Sequence, residues 1–137
     1  MYIIIAGCGK IGSNLAKRLS SGGHDVVVID ADSKSFSLLG SASNCMSVTG
    51  MPIDEDVLKE AGIDRADALV SVTGDDNVNI MAAQMARQLY HVPVVITRCY
   101  DPAREEAVRT LGLTTVCPAL LAVNKICGQL SPEEDKL

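Results

Sequence analysis

The residues best suited to chemistry lie near the N-terminus, in the run Gly7-Cys8-Gly9-Lys10-Ile11-Gly12. The spacing is Gly-x-Gly-x-x-Gly, and each glycine meets a physical need. Gly7 permits a tight turn. Gly9 lacks a Cβ, so a pyrophosphate can approach the backbone. Gly12 lets a following helix pack closely on a preceding strand. That helix would point its free N–H groups and positive dipole end at the phosphates. An acid follows 18 residues after Gly12, at Asp30, with Ala31 beside it. A carboxylate there accepts hydrogen bonds from the ribose hydroxyls of an adenosine and repels a 2′-phosphate, which favours NAD over NADP.

Further candidate positions cluster where later apolar runs end. They are Gly50 and Met51, then Thr73 and Gly74 with Asn79 following, and Arg98. Asp75, Asp76 and Asn77 suit a turn and a helix cap. The cysteines, 8, 45, 99, 117 and 127, are odd in number and contain no Cys-x-x-Cys. Neither a disulfide framework nor a zinc clip follows, and packing as reduced thiols is the expectation. Only His24 and His91 are available as imidazole bases; His24 falls in a surface turn before the second strand and His91 at a helix end on the side opposite the crevice.

These residues need elements to hold them, and the chain alternates strand and helix throughout. Expected strands are Tyr2–Ala6, Asp25–Asp30, Cys45–Thr49, Ala66–Val72, Val94–Arg98 and Thr114–Cys117. Expected helices are Lys10–Ser21, Ser33–Leu39, Asp54–Ala61, Asp76–Tyr90, Pro102–Leu111 and Ala119–Leu130, with Ser131–Leu137 as a solvated tail. Apolar periodicity turns Ile11, Leu15, Ala16 and Leu19 inward on the first helix. On the long central helix it turns Val78, Met81, Ala82, Met85 and Leu89 inward. Six strands so interleaved predict an α/β Rossmann-like, doubly wound parallel sheet of order 3-2-1-4-5-6. Its ligand crevice opens where the order reverses, between strands one and four.

Length and charge narrow the function classes. The 137 residues allow one nucleotide-binding domain over 1–137. The formal charge is −5 with 3% aromatics, which excludes a nucleic-acid platform. No run of about 20 apolar residues exists to insert in a bilayer.

The chain resembles the RCK/KTN nucleotide-binding domains of Trk/Ktr potassium uptake systems and potassium channels. The resemblance rests on Tyr2 to Gly12, Gly23 to Asp30, the helix end Val57 to Ile63, Ala66 to Thr73, Asp76 to Asn79 and Leu111 to Pro118. It implies a cytoplasmic regulatory subunit, peripheral to the inner face of the membrane through a transporter or channel subunit. It implies NAD(H) or ATP/ADP as ligand and a homodimer or larger ring. By position, Gly7, Gly9 and Gly12 would hold phosphates and Asp30 the ribose, with Lys10 beside the phosphates. Thr73, Asn79 and Arg98 match positions around the rest of the nucleotide.

Two departures stand out. Members often carry Gly-Asp-x-Thr after strand three, where this chain has Gly50-Met51-Pro52-Ile53. Many members continue into a smaller ligand-sensing domain, which is missing from these 137 residues. The last helix is apolar nearly all round, with Leu120, Leu121, Val123, Ile126, Cys127 and Leu130. One side is expected at a dimer interface, the bland alternative being a helix wedged into its own core. An NAD-dependent oxidoreductase would share the glycine loop and Asp30, but the six-strand unit leaves no room for a substrate domain. A generic adenine-nucleotide-binding module would share every one of these features.

Overall fold

The computed structural model describes residues 1–40 and 44–131. The expected tail lies, Ser131 apart, outside the described residues. The strands are β1 (Tyr2–Ala6), β2 (Asp25–Asp30), β3 (Met46–Thr49), β4 (Ala68–Ser71), β5 (Val94–Arg98) and β6 (Thr114–Val116). All pair in parallel, in the order β3-β2-β1-β4-β5-β6. β1, β2 and β4 are nearly continuous runs of Ile, Val, Leu and Ala because both faces of the central sheet are covered. Ile4 packs on one face, while Ile3 and Ile5 pack on the other.

The helices are α1 (Lys10–Ser21), α2 (Glu55–Glu60), α3 (Asp76–Gln88), α4 (Pro102–Thr110) and α5 (Pro118–Leu130). Asp54, Asp75 and Asp101 cap α2, α3 and α4, each accepting a backbone N–H two residues on. Ser33–Leu39 is helical as expected, but as a 3₁₀ segment capped by Asp32.

Right-handed crossovers decide what each face receives. From β1 the chain steps outward to β2 and β3, which places α1 and the 3₁₀ segment on one face. From β4 it steps the opposite way to β5 and β6, which places α3 and α4 on the other, together with α2. The α1 face over β5 and β6 is therefore left bare, with Val94 and Val116 exposed.

Two inner helix faces differ from expectation. On α3 the buried residues are Asn79, Ala82, Ala83 and Ala86, while Met81 is 52% and Leu89 54% exposed. On α1 they are Gly12, Ser13, Ala16 and Ser20, with Ile11 exposed and Leu15 and Leu19 half-buried. Both helices lie close on the sheet, and only small side chains fit beneath them. The larger apolar residues are displaced sideways or outward.

The terminal helix is not wedged into its own core. None of its described residues is buried, and Leu121, Val123, Ile126 and Leu130 are exposed.

Candidate functional site

The C-terminal ends of the strands border a crevice of about 700 Å³. It opens where β1 and β4 diverge to opposite sides, the switch point at which such sheets bind ligands.

The glycine loop forms its floor. Gly7 has φ +114°, a conformation that side chains resist, and an added Cβ would meet the Val72 and Thr73 backbone at 2.9 Å. A Cβ on Gly12 would collide with the Gly7 carbonyl oxygen. Gly12 thus closes the strand–helix contact from behind the crevice. Gly9 is different. Its φ is −84°, and nothing lies within 4 Å of where a Cβ would stand. The space in front of it is open to the crevice, at the N-terminus of α1, where unpaired backbone N–H groups collect.

Asp30 occupies the end of β2. Its Oδ2 accepts the Cys8 N–H at 2.8 Å, and its Oδ1 accepts the Asp32 N–H at 2.9 Å. The carboxylate therefore fixes the glycine loop to β2. Each oxygen keeps lone-pair capacity toward the crevice.

The structure brings Gly7, Gly9, Lys10, Ile11, Asp30, Ala31, Met51, Thr73, Gly74 and Arg98 together around this space. Cys8, Gly12, Gly50 and Asn79 stand behind it. The Cys8 side chain is wholly buried, and its Sγ–H donates to the Ser35 carbonyl at 3.4 Å. Burial is the main cause that pushes this thiol up from its ordinary range, with Asp30 adding to it. Gly50 backs Met51, where the Val57 side chain leaves no room for a Cβ.

Asn79 is also wholly buried. Its Oδ1 accepts the Thr73 N–H at 2.8 Å and the Thr73 hydroxyl at 2.7 Å. Its Nδ2 donates to the carbonyls of Thr73 at 3.1 Å and Arg98 at 3.3 Å. One side chain on α3 so pins the ends of β4 and β5, both of which border the crevice. The Ser71 hydroxyl extends the network, bridging the Asn79 carbonyl and the Thr97 hydroxyl at 2.8 Å each.

Sequence reasoning missed other parts of the wall. Ile29, Val72 and Val78 supply apolar surface, and Ser35 and Tyr100 supply polar edges. Their common signal is position: each stands at, or just past, a strand end or a helix start on the crevice side. Tyr100 is held by Asp76, whose Oδ1 accepts its N–H at 2.8 Å. The Arg98 guanidinium lies over the Tyr100 ring, 3.7 Å from its centroid. Cys99, between them, is buried and donates to Asp76 Oδ2 at 3.7 Å. Burial and then the Asp76 charge raise this thiol above its ordinary range. Among the described residues no cluster of His, Cys, Asp and Glu suits a metal ion.

A second hollow, of about 380 Å³, lies on the bare α1 face. Val70, Ile96 and Val116 floor it, and Ile11, Leu15 and Leu19 of α1 wall one side. No α5 residue lines it. No helix among the described residues is long and apolar enough to cross a membrane.

Comparison with known proteins agrees with this architecture. The model of the TrkA-N domain family matches residues 3–118. The "Trk system potassium uptake protein TrkA" of Streptomyces coelicolor is 44% identical over 132 residues, 96% of this chain and 59% of its own length. A TrkA homolog of Methanothermobacter thermautotrophicus is 34% identical over 116 residues, covering 85% of this chain and 53% of that protein. The chain thus spans little more than half of these relatives. Among solved structures, the TrkA-N domain of the Escherichia coli inner membrane protein ybaL superposes with a TM-score of 0.84 at 18% identity, covering 95% of this chain and 96% of that one. The GsuK structure bound to ADP superposes at 0.79 and 24% identity, covering 96% and 34%. The GsuK channel bound to NAD superposes at 0.74 and 24%, covering 93% and 23%.

Proposed function

The chain belongs to the TrkA-N domain family, and from that premise we propose that it is the adenine-nucleotide-binding part of a regulator of potassium transport. Its crevice takes NAD(H) or ATP/ADP, and its partner is a membrane potassium transporter or channel subunit, which places it at the cytoplasmic face. The observation that carries this is the pairing of an open Gly9 with Asp30 across one strand-end crevice. Phosphates would lie against the Gly9 backbone and the α1 N-terminus, with Lys10 alongside. The ribose hydroxyls would donate to the lone pairs that Asp30 keeps free. Ile29, Val72 and Val78 would flank the base. Named relatives in potassium uptake, and GsuK structures with NAD and with ADP, support the class of ligand and partner.

Such a module regulates through differential affinity: nucleotide must bind one arrangement of the assembly more tightly than another. The arrangement proposed is a homodimer or larger ring. α5 is apolar with no seat in its own chain, and the bare groove is apolar with no helix upon it. Lys10 and Arg18 stand beside that groove on α1, and the sequence after α5 carries Glu133, Glu134 and Asp135. Apolar and charge complementarity together commit the groove to α5 of a second copy.

The direct test is a melting-temperature series with NAD⁺, NADH, NADP⁺, ATP, ADP and AMP, repeated on Asp30→Ala. A ligand at 100 times its dissociation constant should stabilise by about 2.7 kcal/mol. The gain should vanish in the variant. No shift with any adenine nucleotide would sink the proposal.

A further inference from the structure

Arg98 belongs to both hollows. It lines the strand-end crevice and also the apolar groove beside Ile96 and Val116. The cause is its place as the last residue of β5. Alternation puts residues 94, 96 and 98 on the α1 face, and position at the strand's end brings the guanidinium to the crevice mouth.

No carboxylate lies within ion-pair distance of Arg98 among the described residues, where the only salt bridge is Arg109 with Glu105. The Arg98 Nε is buried and has no hydrogen-bond partner. The guanidinium rests on the Tyr100 ring. A desolvated donor without an acceptor needs an explanation. A ligand that brings its own anion would supply one.

We propose that Arg98, by contacting the ligand, ties occupancy of the crevice by a phosphate-bearing ligand to the shape of the apolar groove. The inference rests on the nucleotide-binding reading above and names its regulation. A charge-assisted bond to phosphate is stronger than a cation–π contact, so a phosphate in reach draws the guanidinium off Tyr100. The backbone does not follow, because Asn79 holds the Arg98 carbonyl. Only the side chain swings. Its methylene stem leaves its place beside Ile96 and Val116, and the seat offered to a partner helix changes. Crevice and groove then report on one another through a single rotamer change.

Methyl NMR of the protein tests this, with ADP and adenosine as probes. Ile29 and Val78 report the crevice, and Ile96 and Val116 report the groove. In the wild type, ADP should move both sets by more than a linewidth. Adenosine, which lacks phosphate, should move only the crevice set. In Arg98→Met, ADP at saturation should still move Ile29 and Val78 while Ile96 and Val116 stay in place. Arg98→Lys, which keeps the charge, should restore a groove response of the same sign. An undiminished Ile96 response in Arg98→Met would overturn the coupling, as would a wild type in which ADP moves the crevice alone. A wild type in which no crevice methyl moves would instead overturn nucleotide binding itself.

Discussion

Helices α3 and α5 are both 13 residues long and both follow a strand of the same sheet, yet they serve opposite ends. α3 lays alanines on the sheet and buries an asparagine whose hydrogen bonds fasten two neighbouring strand ends. Asp75 caps it. α5 carries larger side chains, Leu121, Val123 and Ile126, and none is buried. Its N-cap, Cys117, makes no side-chain capping bond. The difference teaches that apolar content alone does not place a helix in a core. Small residues matched to a sheet bury α3, while large ones without a matching surface leave α5 exposed.

The contrast can be broken most sharply at Asn79. Asn79→Ala strips partners from the Thr73 N–H and the Arg98 carbonyl, and should cost about 3 kcal/mol. For a chain of this size that lowers the melting temperature by about 10 °C in a calorimetric scan. Ala83→Leu should come next. Overpacking beneath α3 is expected to cost about 1–3 kcal/mol, read from denaturant midpoints. The corresponding changes on α5 should barely touch the fold. Leu121→Asp with Ile126→Asp should stay within about 0.5 kcal/mol of wild type in monomer stability. In sedimentation the same pair should weaken self-association by about tenfold or more, as expected for central apolar anchors. A melting loss as large as that of Asn79→Ala would mean that α5 packs in its own chain.

The smallest effect concerns pH, again at the α3 end. Burial first, and then Asp76 beside Cys99 and Asp30 beside Cys8, raise both thiols above their ordinary range in the folded state. A raised folded-state pKa contributes stability that is complete below the unfolded pKa and lost as pH rises through the folded one. The melting temperature should therefore hold to about pH 8.5 and decline above it. Cys99→Ala should flatten part of that decline.

Much of the fold was legible because backbone constraints are written in residue type. β-branched runs bounded by Gly and Asp marked the strands, and their alternation with helices set the order β3-β2-β1-β4-β5-β6. The inner faces of α1 and α3 were not legible in the same way. Periodicity weighed by hydrophobicity turned Met81 and Leu89 inward, whereas close packing selected Ala82, Ala83 and Ala86. Within the site, Gly7, Gly9 and Asp30 could be read because steric and charge demands leave few alternatives. Asn79 was legible as a polar residue near the site. That it works from behind the wall, through Thr73, required knowing how close α3 lies to β4. Tyr100 carries no motif, and only the Asp76 clamp and the stacked Arg98 reveal it.

Within one loop, Gly12 and Gly9 divide structure from binding most cleanly. Gly12 has the Gly7 carbonyl against it, and Gly9 faces open space. Calorimetric titration of wild type and Gly9→Val with ADP and NADH tests whether this space receives the phosphates of an adenine nucleotide. The wild type should bind at least one of them. Gly9→Val should melt within about 2 °C of wild type, as expected where a side chain meets no neighbour. It should also lose at least about a hundredfold in affinity, because the new side chain stands where the phosphates approach the backbone. Unchanged affinity in Gly9→Val, or no binding by the wild type, would rule out phosphates at Gly9.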